Sequence, residues 1–209
     1  ELLGEQAGLQ VEVRPSTFAE DLPKSAFSST AAYCAETAAR KADEVIGRCC
    51  GAEEAGGRAQ LVIAADTVVC LDGLVLEKPA DGKEAASMLR RMVGRSHEVV
   101  TAVDLTLIPA PGGPGTRRRK AFQERTRVYF SEVDDASLEA YAHSEEPLDK
   151  AGGYGIQGKG GAFVEKIEGC YYNVVGFPIN RFCREVVAML QEEGLAGTPE
   201  LSDAETARP

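Results

Sequence analysis

Leu61-Val62-Ile63-Ala64-Ala65-Asp66-Thr67 is the stretch on which the fold turns. Five consecutive apolar residues read as a strand buried on both faces, not as the alternating pattern of a half-solvated one. The strand is expected to stop at Asp66-Thr67. That puts a carboxylate at the C-terminal end of a buried strand, in the crevice where open α/β sheets bind ligands. A carboxylate in such a place needs a cation or a metal to offset its lost hydration. The plain alternative is an Asp that caps a turn.

Outward from this run, Val68-Val69-Cys70-Leu71 is strand-like, Asp72-Gly73 makes a hairpin turn and Leu74-Val75-Leu76 returns. Asp81 and Glu84 have capping-box spacing for a helix to about Met92, with Gly94 as its stop. Two long strands, near 97–108 and 122–130, flank a Pro- and Gly-rich loop at 109–120. Asp134 or Asp135 caps a short helix to Ala142, residues 152–169 are Gly-rich with short strands, and Pro178 opens a last helix to about Glu193. On the other side, an Ala-rich helix spans about 29–48, capped by Ser or Thr, and 51–58 form an acidic, Gly-rich surface loop. Residues 1–7 read as the last turns of a helix whose start is missing, closed by Gly8 and followed by an alternating strand at 9–13. Residues 194–209 read as a disordered tail or an interdomain linker. Irregularly alternating strands and helices with several hairpins predict an α/β fold with a mixed, partly antiparallel sheet.

Composition narrows the function classes. The chain has 209 residues, 44% hydrophobic and 27% charged, as in a globular protein, and its formal charge is −10. An acidic balance argues against charge-driven binding to a nucleic acid polymer, which needs a field of Lys and Arg. No apolar run reaches the roughly 20 residues of a membrane span, and no stretch reads as a leader, so a cytoplasmic setting is expected. The six cysteines include no C-x-x-C pair, so reduced, mostly buried thiols are expected. His97 and His143 are the only histidines, and no G-x-S-x-G elbow accompanies them. His97, among apolar strand residues, reads as a hydrogen-bonded structural histidine.

Besides Asp66, few residues carry chemistry on local grounds. Lys78 precedes Pro79, twelve residues after Asp66 and beyond the hairpin, close enough to return to the same crevice. Lys41 shares a helical face with Tyr33, Thr37, Ala38 and Val45, so it either points inward and wants an anion or snorkels at the edge of the stripe. Gly153 to Gly158 spells G-x-G-x-x-G, but a loop precedes it and a strand-like segment, not a helix, follows, which excludes the dinucleotide fingerprint. What remains is a loop whose backbone can approach a ligand and whose Gln157 offers both a donor and an acceptor to a base edge. Arg117-Arg118-Arg119-Lys120 is expected to be a solvated loop tip. Glu20 is a loop acid with no local signal of its own.

Taken together, five stretches resemble the Maf family of nucleotide pyrophosphatases. They are Ala64-Ala65-Asp66-Thr67-Val68-Val69, Leu76-Glu77-Lys78-Pro79, Gly94-Arg95-Ser96-His97-Glu98-Val99-Val100-Thr101, the run from Glu146 to Gly158, and Asn173-Val174-Val175-Gly176-Phe177-Pro178. The resemblance implies an inosine-triphosphatase-like α/β fold with a cleft between two lobes, over residues 1–193. It implies hydrolysis of nucleoside triphosphates to monophosphate and pyrophosphate with magnesium or manganese, commonly by a homodimer. By resemblance, Asp66 is the catalytic base, Lys41 and Lys78 hold phosphates, and Glu20 joins Asp66 at the metal. Thr67 and Gln157 match the branch acting on dTTP and UTP. Animal members are fused to a methyltransferase-like domain, with which a linker-like tail is consistent. Family members also open with a strand and a Ser-x-Ser-x-Arg-Arg loop ahead of the stretch resembling Glu1-Leu2-Leu3, so this sequence is expected to lack those triphosphate contacts and to turn over nucleotide poorly. The competing expectations are a nucleotide-binding regulatory module without turnover and an inosine- or xanthosine-type triphosphate pyrophosphatase.

Overall fold

A computed structural model describes residues 2–49, 58–112 and 116–194. The expectations for the loop at 51–58, apart from Arg58, and for the tail beyond Gly194 lie outside these residues, as does Cys50. Five strands, β1 (Gln60–Leu71), β2 (Leu74–Leu76), β3 (Ser96–Ile108), β4 (Arg118–Phe130) and β5 (Val164–Glu168), form one sheet in the order β2-β1-β3-β4-β5. The helices are α1 (Thr30–Cys49), α2 (Gly82–Met92), α3 (Asp135–Ala142), α4 (Tyr171–Val175) and α5 (Ile179–Glu192). The α/β class stands, but every strand pairing among the described residues is antiparallel, so the expected mixture of directions is not found there.

Local chemistry sets most element boundaries. Ser29 Oγ accepts from the Ala32 amide at the start of α1. Asp81 accepts from the Glu84 amide, and the Glu84 carboxylate reaches back to the Ala80 amide, so α2 opens with a variant of the capping box. Gly94 follows α2 at φ +66°, where a Cβ would be strained. Asp134 caps α3, and Pro178 precedes α5.

The sheet is covered on both faces. Small buried residues of α1, Ala31, Cys34 and Ala38, let the helix pack closely on Val68, Val100 and Ala102. The opposite face carries α5 at one end, with Phe177, Phe182 and Met189 on Val103 and Leu105. At its other end α2 and α3 pack Leu89, Met92 and Leu138 against Val69, Leu71 and Val99. Between them α4 places Asn173, fully buried, so that its Nδ2 donates to Val99 O and Thr126 Oγ1 at 3.0 Å each.

Several expectations are corrected. β1 does not stop at Asp66-Thr67 but runs unbroken to Leu71, because Asp66 pairs with Ala102 and Thr67 with Thr101 in the β3 ladder while the Asp66 side chain finds a cation across the sheet face. Residues 61–65 are half-buried, because along this part of β1 the only strand neighbour among the described residues is β3. The alternating segment 9–13 is not a strand: Leu9, Val11 and Val13 are exposed and no described strand pairs with them. β4 begins at Arg118, so the basic run is mostly strand and not a loop tip. Arg119 donates to the buried Asp104 carboxylate at 2.7 Å, Arg118 pairs with Glu193 and Lys120 with Glu185. The Gly-rich region is chiefly 3-10 turns, with β5 as its one strand among the described residues. Of the described thiols only Cys34 and Cys49 are buried, Cys183 is exposed, and all five are free.

Candidate active site

A cavity of about 780 Å³ opens beside β1. Consecutive residues Ala65 to Val69 all line it, which a single sheet face cannot offer, so it meets the strand at its edge. One wall is α1 with the loop before it; the opposite wall is made by residues 146–158. This matches the expected cleft, and all six predicted site residues, Glu20, Lys41, Asp66, Thr67, Lys78 and Gln157, line it.

Three of the six form one charged cluster. Lys41, midway along α1, places its ammonium 2.8 Å from Asp66 Oδ1 and 2.9 Å from Glu20 Oε1. Asp66 is 8% exposed, whereas half of the Glu20 side chain is in solvent. Burial works against the Lys41 charge, but attraction and hydrogen bonding from Asp66, then Glu20, outweigh it and raise its pKa. The inward option for Lys41 is therefore the observed one, and Asp66 is a paired carboxylate, not a turn cap.

The remaining three sit differently. Thr67 Oγ1 lies 2.9 Å from Thr101 Oγ1 and 3.2 Å from Gly176 O, so its hydroxyl is committed to the protein and shapes the wall. Lys78, just past β2, and Gln157, at the tip of the Gly-rich loop, are exposed lining residues. The Lys78 charge acts on the Asp149 carboxyl, whose direct ion-pair partner is Lys150.

Further lining residues had weaker signals in the sequence. Tyr33 OH donates to Glu77 Oε1 at 3.3 Å, and Glu77 also pairs with Lys24 at 2.6 Å. Burial, then the nearby Glu77 and Asp66 charges, push the Tyr33 hydroxyl upward. Lys150 pairs with Asp149 at 2.6 Å and, as the leading cause, holds that carboxyl below its ordinary range. Tyr33 shares a helical face with Lys41, and Glu77, Glu146, Asp149 and Lys150 lie in the motif stretches, but no local signal in the sequence marks them as cavity residues. His97 is the structural histidine expected: its Nε2 lies 2.8 Å from Tyr154 OH, and its ring meets Phe130 and Tyr154 edge-on.

The lining holds five carboxylates, Glu20, Asp66, Glu77, Glu146 and Asp149, against three lysines, Lys41, Lys78 and Lys150. Such a cavity repels a bare polyanion and favours one accompanied by a cation. No group of three or more His, Cys, Asp or Glu residues that could hold a metal exists among the described residues. A preformed all-protein cage is therefore not built from them. The carboxylates of the cluster that could contribute to a divalent ion are Asp66 and Glu20, both of which meet the Lys41 ammonium here.

The chain is an α/β protein of the Maf-like family: the family model described as Maf-like protein matches residues 1–189. Among its relatives, a human protein described as "Probable bifunctional dTTP/UTP pyrophosphatase/methyltransferase protein" is 45% identical over 183 residues, 88% of this chain and 29% of that one. The dTTP/UTP pyrophosphatase of Carboxydothermus hydrogenoformans is 52% identical over 126 residues, 60% of this chain and 64% of the relative. That of Exiguobacterium sibiricum is 51% identical over 129 residues, covering 62% of each chain. The chain thus matches under a third of the human relative and just under two thirds of the bacterial ones. No helix among the described residues is long and apolar enough to cross a membrane.

Proposed function

We propose that this chain hydrolyses pyrimidine nucleoside triphosphates, dTTP and UTP, to the monophosphate and pyrophosphate. The observation that carries the reading is Lys41 held between Asp66 and Glu20, in a cavity that also contains Lys78 and Gln157. The names of the relatives supply the nucleotide class.

In this reading the α-phosphorus sits near Asp66. Lys41 takes Oδ1, and the other carboxylate oxygen of Asp66 orients a water and accepts its proton. The water oxygen bonds to the α-phosphorus, the bond from that phosphorus to the bridging oxygen breaks, and pyrophosphate leaves. Lys41 and Lys78 neutralise the phosphate oxygens where charge accumulates. Asp66 and Glu20 would hold a divalent ion. Magnesium or manganese, when bound, supplies charge neutralisation to the triphosphate and its leaving group. Gln157 presents an amide donor and acceptor to the uracil or thymine edge, and Thr67 shapes the wall beside it. A homodimer, on the family resemblance alone, and a cytoplasmic setting, on the sequence reading alone, complete the proposal.

Pyrophosphate release measured with magnesium or manganese across a panel of pyrimidine and purine triphosphates tests it. UTP and dTTP should lead, and Asp66→Asn should abolish release while retaining nucleotide binding. Equal release by wild type and Asp66→Asn, or a purine preference, overturns it; binding without release by the wild type indicates a regulatory module instead.

A further inference from the structure

Gln157 stands at the apex of a loop, and its reach is set by what holds that loop. At one end, the Gly155 amide donates to Tyr141 OH at 3.3 Å. At the other, the Lys159 and Gly160 amides donate to the two oxygens of Glu146 at 3.0 and 3.1 Å. Tyr141 OH in turn donates to Glu146 at 3.1 Å, so one carboxylate gathers both ends of the loop. Within it, the Gly158 amide closes back on Gly155 O at 3.2 Å.

The glycines are required by this closure. A Cβ on Gly158 would run into the Glu146 carboxylate, and one on Gly160 would lie 2.6 Å from Tyr141 OH. Burial disfavours the Glu146 charge, but the Gly160 and Lys159 amides and Tyr141 outweigh it and keep the carboxyl below its ordinary pKa. A carboxylate accepting three donors is the one side chain of this size with acceptor capacity for all of them; an amide would set an NH₂ against a backbone N–H.

We infer that Glu146 is the positioning residue for base selection, holding the 155–160 loop so that Gln157 is presented to a pyrimidine at a fixed height above the cavity. The inference rests on the reading of Gln157 as the base-contacting group. Glu146 lines the same cavity, but the hydrogen bonds it accepts come from Tyr141, Lys159 and Gly160 and not from Lys41, so the effect of its hold on the loop belongs to recognition.

Steady-state kinetics with UTP and GTP on the full chain test this. Glu146→Ala should raise KM for UTP about tenfold with kcat within about twofold, and the UTP-over-GTP preference should fall in step. Glu146→Gln, which keeps an acceptor oxygen, should lose about threefold. In the double variant with Gln157→Ala, no loss beyond that of Gln157→Ala is expected, because both act through one contact. A fall in kcat at constant KM, or additive losses in the double variant, overturns the inference. If Glu146→Ala does not fold, an unchanged preference in Glu146→Gln overturns it. If Gln157→Ala alone leaves the preference intact, the base-contact reading fails, which is distinguishable from a failure confined to Glu146.

Discussion

The Lys41 ammonium lies 2.8 Å from Asp66 Oδ1, joining the middle of α1 to the middle of β1 across 25 positions of sequence. Both groups are largely withdrawn from water, with 19% and 8% of their side chains exposed. Neither is tolerable there alone: each is the reason the other can be buried. Lys41→Met should therefore cost about 2–4 kcal/mol in urea unfolding, and on the proposed reading should reduce pyrophosphate release by about a hundredfold. A variant that unfolds at the wild-type urea midpoint would show that the pair contributes nothing net.

His97 gives stability a pH dependence of predictable sign. Burial pushes the imidazole down to about 4 from its ordinary 6.5. The unfolded chain takes up the proton at the ordinary value and the folded one does not, so the contribution is complete above about pH 6.5 and is lost as pH falls towards 4. The loss over that interval is about 3 kcal/mol. Urea midpoints followed through this window should show the decline, and His97→Phe should flatten it. An equal decline in the variant would assign the effect to other groups.

Gly152 joins the cavity wall to the sheet. It has φ +72°, its amide donates to Glu77 O at 3.0 Å, and a Cβ there would lie 2.9 Å from Val69 Cγ2. Gly152→Ala combines backbone strain with overpacking against a buried strand and should cost about 2–3 kcal/mol, read as a lowered thermal midpoint. Wild-type stability would mean that the turn relaxes freely.

The basic run divides by burial. Arg119 neutralises Asp104, which is 1% exposed and, among the described residues, otherwise receives a side-chain hydrogen bond from Thr106 Oγ1 at 3.0 Å. Arg119→Met should destabilise the protein by about 3 kcal/mol, because it leaves a buried charge uncompensated. Arg118, 59% exposed in its pair with Glu193, should cost less than about 1 kcal/mol when changed to Ala. Nucleotide turnover per folded molecule should be unchanged in both. Reduced turnover in the Arg118 variant would restore a phosphate role for the run.

The sequence by itself determined the elements whose signals are local. Ser29 and the Asp81–Glu84 pair announced α1 and α2, Gly94 the stop, and the long apolar runs β3 and the first half of β1. These depend on spacing and capping, interactions that close within a few residues of chain. It also singled out the motif residues that the cavity gathers.

Only the tertiary structure decided whether a segment has a partner. The residues 9–13 have the alternation of a strand but no described neighbour to hydrogen-bond with, while Asp66 interrupts an apolar run yet stays in its ladder, because β3 supplies the backbone and α1 supplies Lys41. Arg118 to Lys120 look like a solvated loop until Asp104, Glu193 and Glu185 come beside them. Glu20 carried no local signal and acquires its place only through Lys41, 21 positions away in the chain; Glu146 likewise acquires its hold on the loop below Gln157 through amides 13 and 14 positions on. A charge declares its role through the group that compensates it, and in this protein those groups meet only when distant segments pack.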